Sequence, residues 1–246
     1  MKKLLIAVCL CTGVSAFAQT NTSLLDHYKA FYKEMKAHGD VRGAIDALTH
    51  IDVLAPSQAN KDTLAYYYAN GRQYVQALNV LGTTKDTNAS DLAVEVKAMA
   101  LKAVNQPELA IEQYDILFQR KPDVYLAYDL VDLNLQTGKT AEAKTYINYG
   151  LANAKDDQML PFYQSQPAYQ VPIKAAFTYQ LGLLTYNEDK TNIDGALTQI
   201  DKAIEIAPNF NLAKRVREAL ENQKDQAKQQ SPLPSAVTGN KPQSKQ

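Results

Sequence analysis

Small and large apolar residues recur along this chain with a helical period, most clearly between Asp91 and Val124. In DLAVEVKAMALKAVNQPELAIEQYDILFQRKPDV, Val94, Leu101, Tyr114 and Leu117 are the larger apolar positions, with small residues at Ala98 and Ala110. Two helices approach closely only where little side chain sits at the crossing, which Ala98 and Ala110 supply. Pro107 follows Asn105-Gln106 and suits the first turn of a second helix, where a missing backbone N–H costs nothing; Pro122 stops that helix. The stretch therefore predicts a helical hairpin in about 34 residues.

The pattern resembles the tetratricopeptide repeat (TPR), whose positions 8, 20, 24, 27 and 32 are here Ala98, Ala110, Tyr114, Leu117 and Pro122. Related repeats lie at about 25–58, 58–90, 124–157 and 172–209. In the first, Phe31, Tyr32 and Met35 form the apolar face of one helix, with Ser23 as its N-cap. Gly39-Asp40 makes the turn, and Ala44, Leu48 and Ile51 line the second helix. The second has Leu64, Ala65 and Tyr68, a turn at Asn70-Gly71, Ala77 and Leu81, and an early end at Gly82. The fourth has Ala127, Leu130 and Val131, then Ala143, Ile147 and Gly150. The fifth has Gly182, Ala196, Ile200, Ala203 and Pro208. The resemblance implies an all-α, right-handed superhelical solenoid of about five hairpins.

Between the fourth and fifth repeats the spacing breaks. Part of the excess fits a widened turn at 187–192. The rest fits 156–171, DDQMLPFYQSQPAYQV, which reads as an inserted loop because it holds two prolines and Gln-Ser and Gln-Pro turns. Residues 211–230 form a polar helix with Leu212, Val216 and Leu220 on one side, suited to capping the last apolar face. Residues 231–246 are aperiodic and rich in Ser, Pro and Gln, which predicts disorder.

Residues 1–18 have the form of a bacterial secretory signal peptide, with Lys2-Lys3, an apolar run from Leu4 to Val14 and small residues before Gln19. The expectation is export, to a periplasm first and the outside of the cell second, with no transmembrane segment in the mature chain. Both cysteines, Cys9 and Cys11, leave with that peptide, so the mature chain has no disulfide or thiol. Its loss also removes Lys2 and Lys3, leaving 24 basic and 26 acidic residues. That balance excludes a bulk polyanion partner such as nucleic acid.

Candidate chemistry is sparse. His27, His38 and His50 lack metal-ligand spacing, and no phosphate-binding, nucleotide-binding or nucleophile-elbow motif occurs. Asp129 and Asp132 share a helix face without a nucleophile or oxyanion donor beside them. No enzyme, cofactor or metal is expected. The resemblance implies instead a groove lined by the first helix of each hairpin. Its residues are Lys29, Lys33 and Lys36; Asp62, Tyr66 and Asn70; Glu95, Met99 and Lys102; Tyr125, Tyr128, Asp129 and Asp132; and Tyr179, Gln180, Leu183 and Tyr186. One end is basic, the other acidic and rich in tyrosine, which offers broad contact area at small rotamer cost. The expected function is a scaffold or adaptor for a protein or peptide partner in the bacterial cell envelope. Self-association into a homo-oligomer is the alternative, and an envelope hydrolase or metal-dependent enzyme the third reading.

Overall fold

The computed structural model describes residues 22–163 and 167–230 of the 246-residue chain. The expected signal peptide and C-terminal tail lie outside the described residues. Almost everything described is helical: α1 (22–38), α2 (Val41–Leu54), α3 (Gln58–Asn70), α4 (Tyr74–Leu81), α5 (Asp91–Ala103), α6 (Pro107–Arg120) and α7 (Val124–Gln136) form one compact unit ending at Lys139. A second unit from Thr140 holds α8 (Thr140–Asn153), β1 (Met159–Phe162), β2 (Tyr169–Pro172), α9 (Ile173–Glu188), α10 (Ile193–Ile206) and α11 (Asn211–Gln230).

In the first unit the hairpin turns are built to one plan. Gly39, Arg72, Asn105 and Gly138 all have positive φ, a constant step of 33 residues, one fewer than the expected repeat. Immediately after each, a backbone N–H reaches five residues back into the preceding helix: Asp40 to Met35, Gln73 to Tyr68, Gln106 to Leu101 and Lys139 to Asn134, at 2.8–2.9 Å. These bonds satisfy carbonyls that a helix end leaves open. Starts are equally specified. Asp40, Ser57, Ser90 and Asp123 accept bonds from backbone N–H groups of the first turns of α2, α3, α5 and α7, and Pro107 opens α6.

The same step governs packing. Ala44, Ala77, Ala110 and Ala143, again 33 apart, have no exposed surface, as do Ala65 and Ala98. Such residues let helix axes approach to about 8–10 Å. Around Ala65, Ala69, Ala77 and Val96 pack Tyr68, Tyr74, Val80, Leu81, Leu92 and Met99. α4 stops at Gly82, and the connection after it is tied down by neighbours. The buried Lys97 ammonium donates to the Thr84 carbonyl, and Arg120 donates to the carbonyls of Thr87 and Ala89 and pairs with Asp91.

Further sequence expectations change. Ser23 lies within α1 rather than capping it. Phe31 is 37% exposed, because the partly covered side of α1 is Leu25, Tyr28, Tyr32 and Met35, a three-four stripe that excludes position 31. Residues 156–171 are not simply a loop. Their described part contains an antiparallel hairpin in which Leu160 faces Val171 and Phe162 faces Tyr169. Val171 is fully buried and Phe162 nearly so, and the Phe162 ring stacks on Tyr169 and leans on Phe210. Alternating apolar positions in two short β-prone runs outweigh the prolines, since Pro161 stands in an edge strand of a two-stranded sheet and Pro167 in the bend before β2.

In the second unit α9 is 16 residues long, whereas α3, α5 and α7 have 13, so it runs through Asn187 and Glu188, which the sequence suggested belonged to a widened turn. It crosses α10 at Gly182, where an added Cβ would stand 2.7 Å from the Ile200 side chain. Only glycine fits that approach without displacement. Phe177, Ile147, Ile173, Leu184, Ile200 and Phe210 fill this unit's core, and α11 packs on α10 through Arg217, which binds both Asp201 and Glu221.

Candidate functional site

Within the first unit the odd-numbered helices stand in a row, joined by side chains. The hydroxyl of Tyr32 on α1 lies 3.5 Å from that of Tyr67 on α3, with the rings edge to face. Asp62 on α3 accepts a 2.6 Å bond from Ser90, the residue capping α5. Lys102 on α5 donates a 2.6 Å bond to Asp129 on α7 and approaches Asp132 at 3.8 Å. The 33-residue step brings equivalent faces of these helices to one side.

Recesses open between successive members of the row. One of about 530 Å³ is lined by Lys29, Tyr32, Leu48, Ile51, Asn60 and Thr63, from α1, α2 and α3. Another, of about 430 Å³, lies among α5, α6 and α7. Its apolar lining is Met99, Leu117 and Leu126, and its polar lining includes Glu95, Tyr114, Arg120 and Asp129. The composition suits an apolar or amphipathic side chain whose polar end stays at the mouth.

The second recess has a distinctive electrostatic floor. Tyr114 is buried and hydrogen-bonded to Asp129; burial and the negative charges of Asp129, Glu95 and Asp132 together hold its phenol protonated far above the usual range. The carboxyl of Asp132 is also raised, first because surrounding protein withdraws it from water, with Asp129 adding to the effect and Lys102 opposing it. Its side chain keeps 60% exposure, so it is a wet group crowded by protein atoms on one side. Among the described residues Lys102 is thus the one ammonium within ion-pair distance of Asp129 and Asp132, with Glu95 lining the same recess. At the other end of the row, burial and the neighbouring Tyr67 push Tyr32 up to about 12. Neither tyrosine is poised for acid–base work near neutrality, and among the described residues no group of three metal-ligating side chains occurs.

Several residues expected in the groove do sit on this row. Lys29, Lys33 and Asn70 are exposed, Tyr66 and Tyr125 are 42% and 39% exposed, and Met99, Lys102 and Tyr128 are half-buried. Others do not line an open face. Asp62 is buried, bonded to Gln58 as well as Ser90. In the second unit Tyr179 is 5% exposed, its ring packed on Phe210, and Gln180 is buried too, so neither is a groove residue there. The cause is local: α9 carries the β-hairpin at its start and α10 along its side, which leaves less of its surface open. Tyr186 donates to Gln223 on α11 and carries the Lys190 ammonium over its ring, while Leu183 is half-buried. Tyr114, Leu117 and Leu126 line the recess without having been singled out for it. Tyr114 gave one signal: a core tyrosine must find its hydroxyl a partner.

No family model and no curated protein matches this sequence. Solved structures do. The MamA protein aligns over 86% of this chain and 98% of its own, with a TM-score of 0.55 at 16% identity. YrrB, a TPR protein with an unusual peptide-binding site, aligns over 78% and 90%, with a TM-score of 0.60 at 18% identity. A tetratricopeptide repeat protein from Parabacteroides merdae aligns over 84% and 76%, with 0.60 at 14%. The chain has the tetratricopeptide-repeat fold. At these identities the likeness is one of fold, and the TPR architecture alone does not carry an activity with it. Among the described residues no helix is long and apolar enough to cross a membrane.

Proposed function

We propose that this TPR chain is a non-enzymatic scaffold or adaptor that holds a peptide segment or partner protein across the row of α1, α3, α5 and α7. The observation that carries the reading is the recess among α5, α6 and α7. Met99, Leu117 and Leu126 supply apolar surface, and Tyr114, Lys102 and Asp129 supply fixed polar groups beside it. The fold supports an interaction role, and one similar structure is described as having a peptide-binding site. The setting we propose is the bacterial cell envelope, after removal of residues 1–18. Of the expected groove, Met99, Lys102, Tyr125, Tyr128 and Asp132 form the proposed contact centre, with Lys29, Lys33, Tyr66 and Asn70 extending it.

The test is co-purification from cells with Met99→Glu and Leu126→Glu combined. A partner retained by the unaltered chain is expected to be lost while the helical circular dichroism signal is kept. Undiminished recovery of that partner removes the recess from the interaction.

A further inference from the structure

The row of first helices is electrically divided. On α1, Lys29, Lys33 and Lys36 are all exposed and follow one another at helical spacing. Among the described residues no carboxylate lies within ion-pair distance of any of them. Lys29 reaches the recess shared with Asn60 and Thr63 of α3, which places the stripe on the side of the row. Two helices further on, the sign reverses. Among the described residues Glu95 is exposed with no lysine or arginine within that distance, Asp129 and Asp132 share one ammonium, Lys102, and of the two α6-end cations that line the same recess, Arg120 and Lys121, Arg120 is paired with Asp91. Between the poles, on α3, stands the exposed Tyr66, and the half-buried Met99 lies beside the acidic pole on α5.

Unpaired like charges held on one helix face repel one another, and an occupant of opposite sign relieves that repulsion while gaining orientation. We infer that the segment held on this face is itself bipolar, an extended peptide acidic where it crosses α1 and α3 and basic where it crosses α5 and α7. This rests on the peptide-holding reading above and adds the chemistry and polarity of the partner. Adjacent packed helices are about 8–10 Å apart, so α1 lies roughly 16–20 Å from α5 and roughly 24–30 Å from α7. An extended chain covers about 3.3 Å per residue, which puts the acidic and basic groups about five to nine residues apart. Recesses of about 430 and 530 Å³ admit single side chains projecting from a strand. A second copy of this face presents helix ridges rather than single side chains projecting from a strand, which fits them less well. A basic side chain at the α5–α7 end also has apolar surface for its stem on Met99 and Leu117.

The experiment uses the full chain on an array of synthetic nine-residue peptides with a common Tyr-Leu-Ala centre. Their outer triplets are Asp/Glu, Lys/Arg or Ser in all combinations. Bipolar peptides, in one or both chain directions, are expected to bind about tenfold tighter than uniformly acidic, basic or neutral ones. Lys29→Glu with Lys33→Glu is expected to transfer the preference to uniformly basic peptides, and Glu95→Lys with Asp132→Lys to uniformly acidic ones. Binding without regard to charge order, or preferences that the two double variants leave in place, overturns the inference and leaves the peptide-holding reading standing. No binding to any peptide overturns both. A dimer in light scattering that both double variants dissolve assigns the face to a second copy and likewise overturns the inference.

Discussion

At the residue scale, Asp132 and Arg72 show structure holding groups in unfavourable states. Asp132 titrates higher when folded than when unfolded, because protein withdraws it from water and Asp129 lies near. In the interval between its ordinary and its raised value the folded chain binds more protons, so stability falls as pH rises through that interval and stays lower above it. Asp132→Asn is therefore expected to raise the melting temperature at pH 7, with the gain vanishing once the pH drops below the usual carboxylate range. A melting series in buffers from pH 3 to 8 checks both parts. Arg72 has φ 57 at a turn where Gly39 and Gly138 occupy the equivalent places. An L side chain in that region costs roughly 1 kcal/mol, against which glycine adds unfolded-state freedom. Arg72→Gly is expected to stabilise by up to about 0.5–1 kcal/mol in urea titration, the opposite of a glycine placed inside a helix.

At the element scale, the helical hairpins were legible because small residues and turn residues repeat in the sequence itself. Ala110 and Pro107 marked one crossing and one start, and Asn70-Gly71 and Gly39-Asp40 marked chain reversals. The hairpin β1–β2 was not legible in the same way. A four-residue strand gives two alternations, and Pro161 and Pro167 argued for a loop, while what stabilises it is remote: the Phe162, Tyr169 and Phe210 rings together. Burial of Tyr179 on Phe210 was hidden for the same reason, since repeat position alone assigned it to an open face. Phe162→Ala, removing a ring that is 4% exposed, is expected to destabilise the chain by about 3 kcal/mol. Ala110→Trp, at a position with no exposed surface where α5 and α6 cross, is expected to cost roughly 3 kcal/mol or more and to reduce helicity beyond one hairpin. Chemical denaturation followed by circular dichroism measures both.

At the scale of the whole molecule, the periodic backbone dictates little about the partner; what distinguishes this chain is the charge and recess pattern on the odd-numbered helices of its first unit. Part of that pattern could be read from sequence, since Lys29, Lys33, Met99, Lys102, Tyr125 and Asp132 fall where repeat positions place them. The part that could not is pairing: which carboxylate Lys102 binds, where the Tyr114 hydroxyl goes, and that Asp62 is consumed by the cap of α5. Repeat position gives a face, whereas pairing depends on residues 15 to 28 apart in the chain meeting across two helices. The most direct measurement is in-cell photo-crosslinking with a reactive side chain at Tyr125 on α7, 39% exposed, and separately at Val75 on α4, 59% exposed. Interaction along the row of first helices predicts a discrete crosslinked partner from position 125 and none from 75; a partner captured from 75 alone contradicts it.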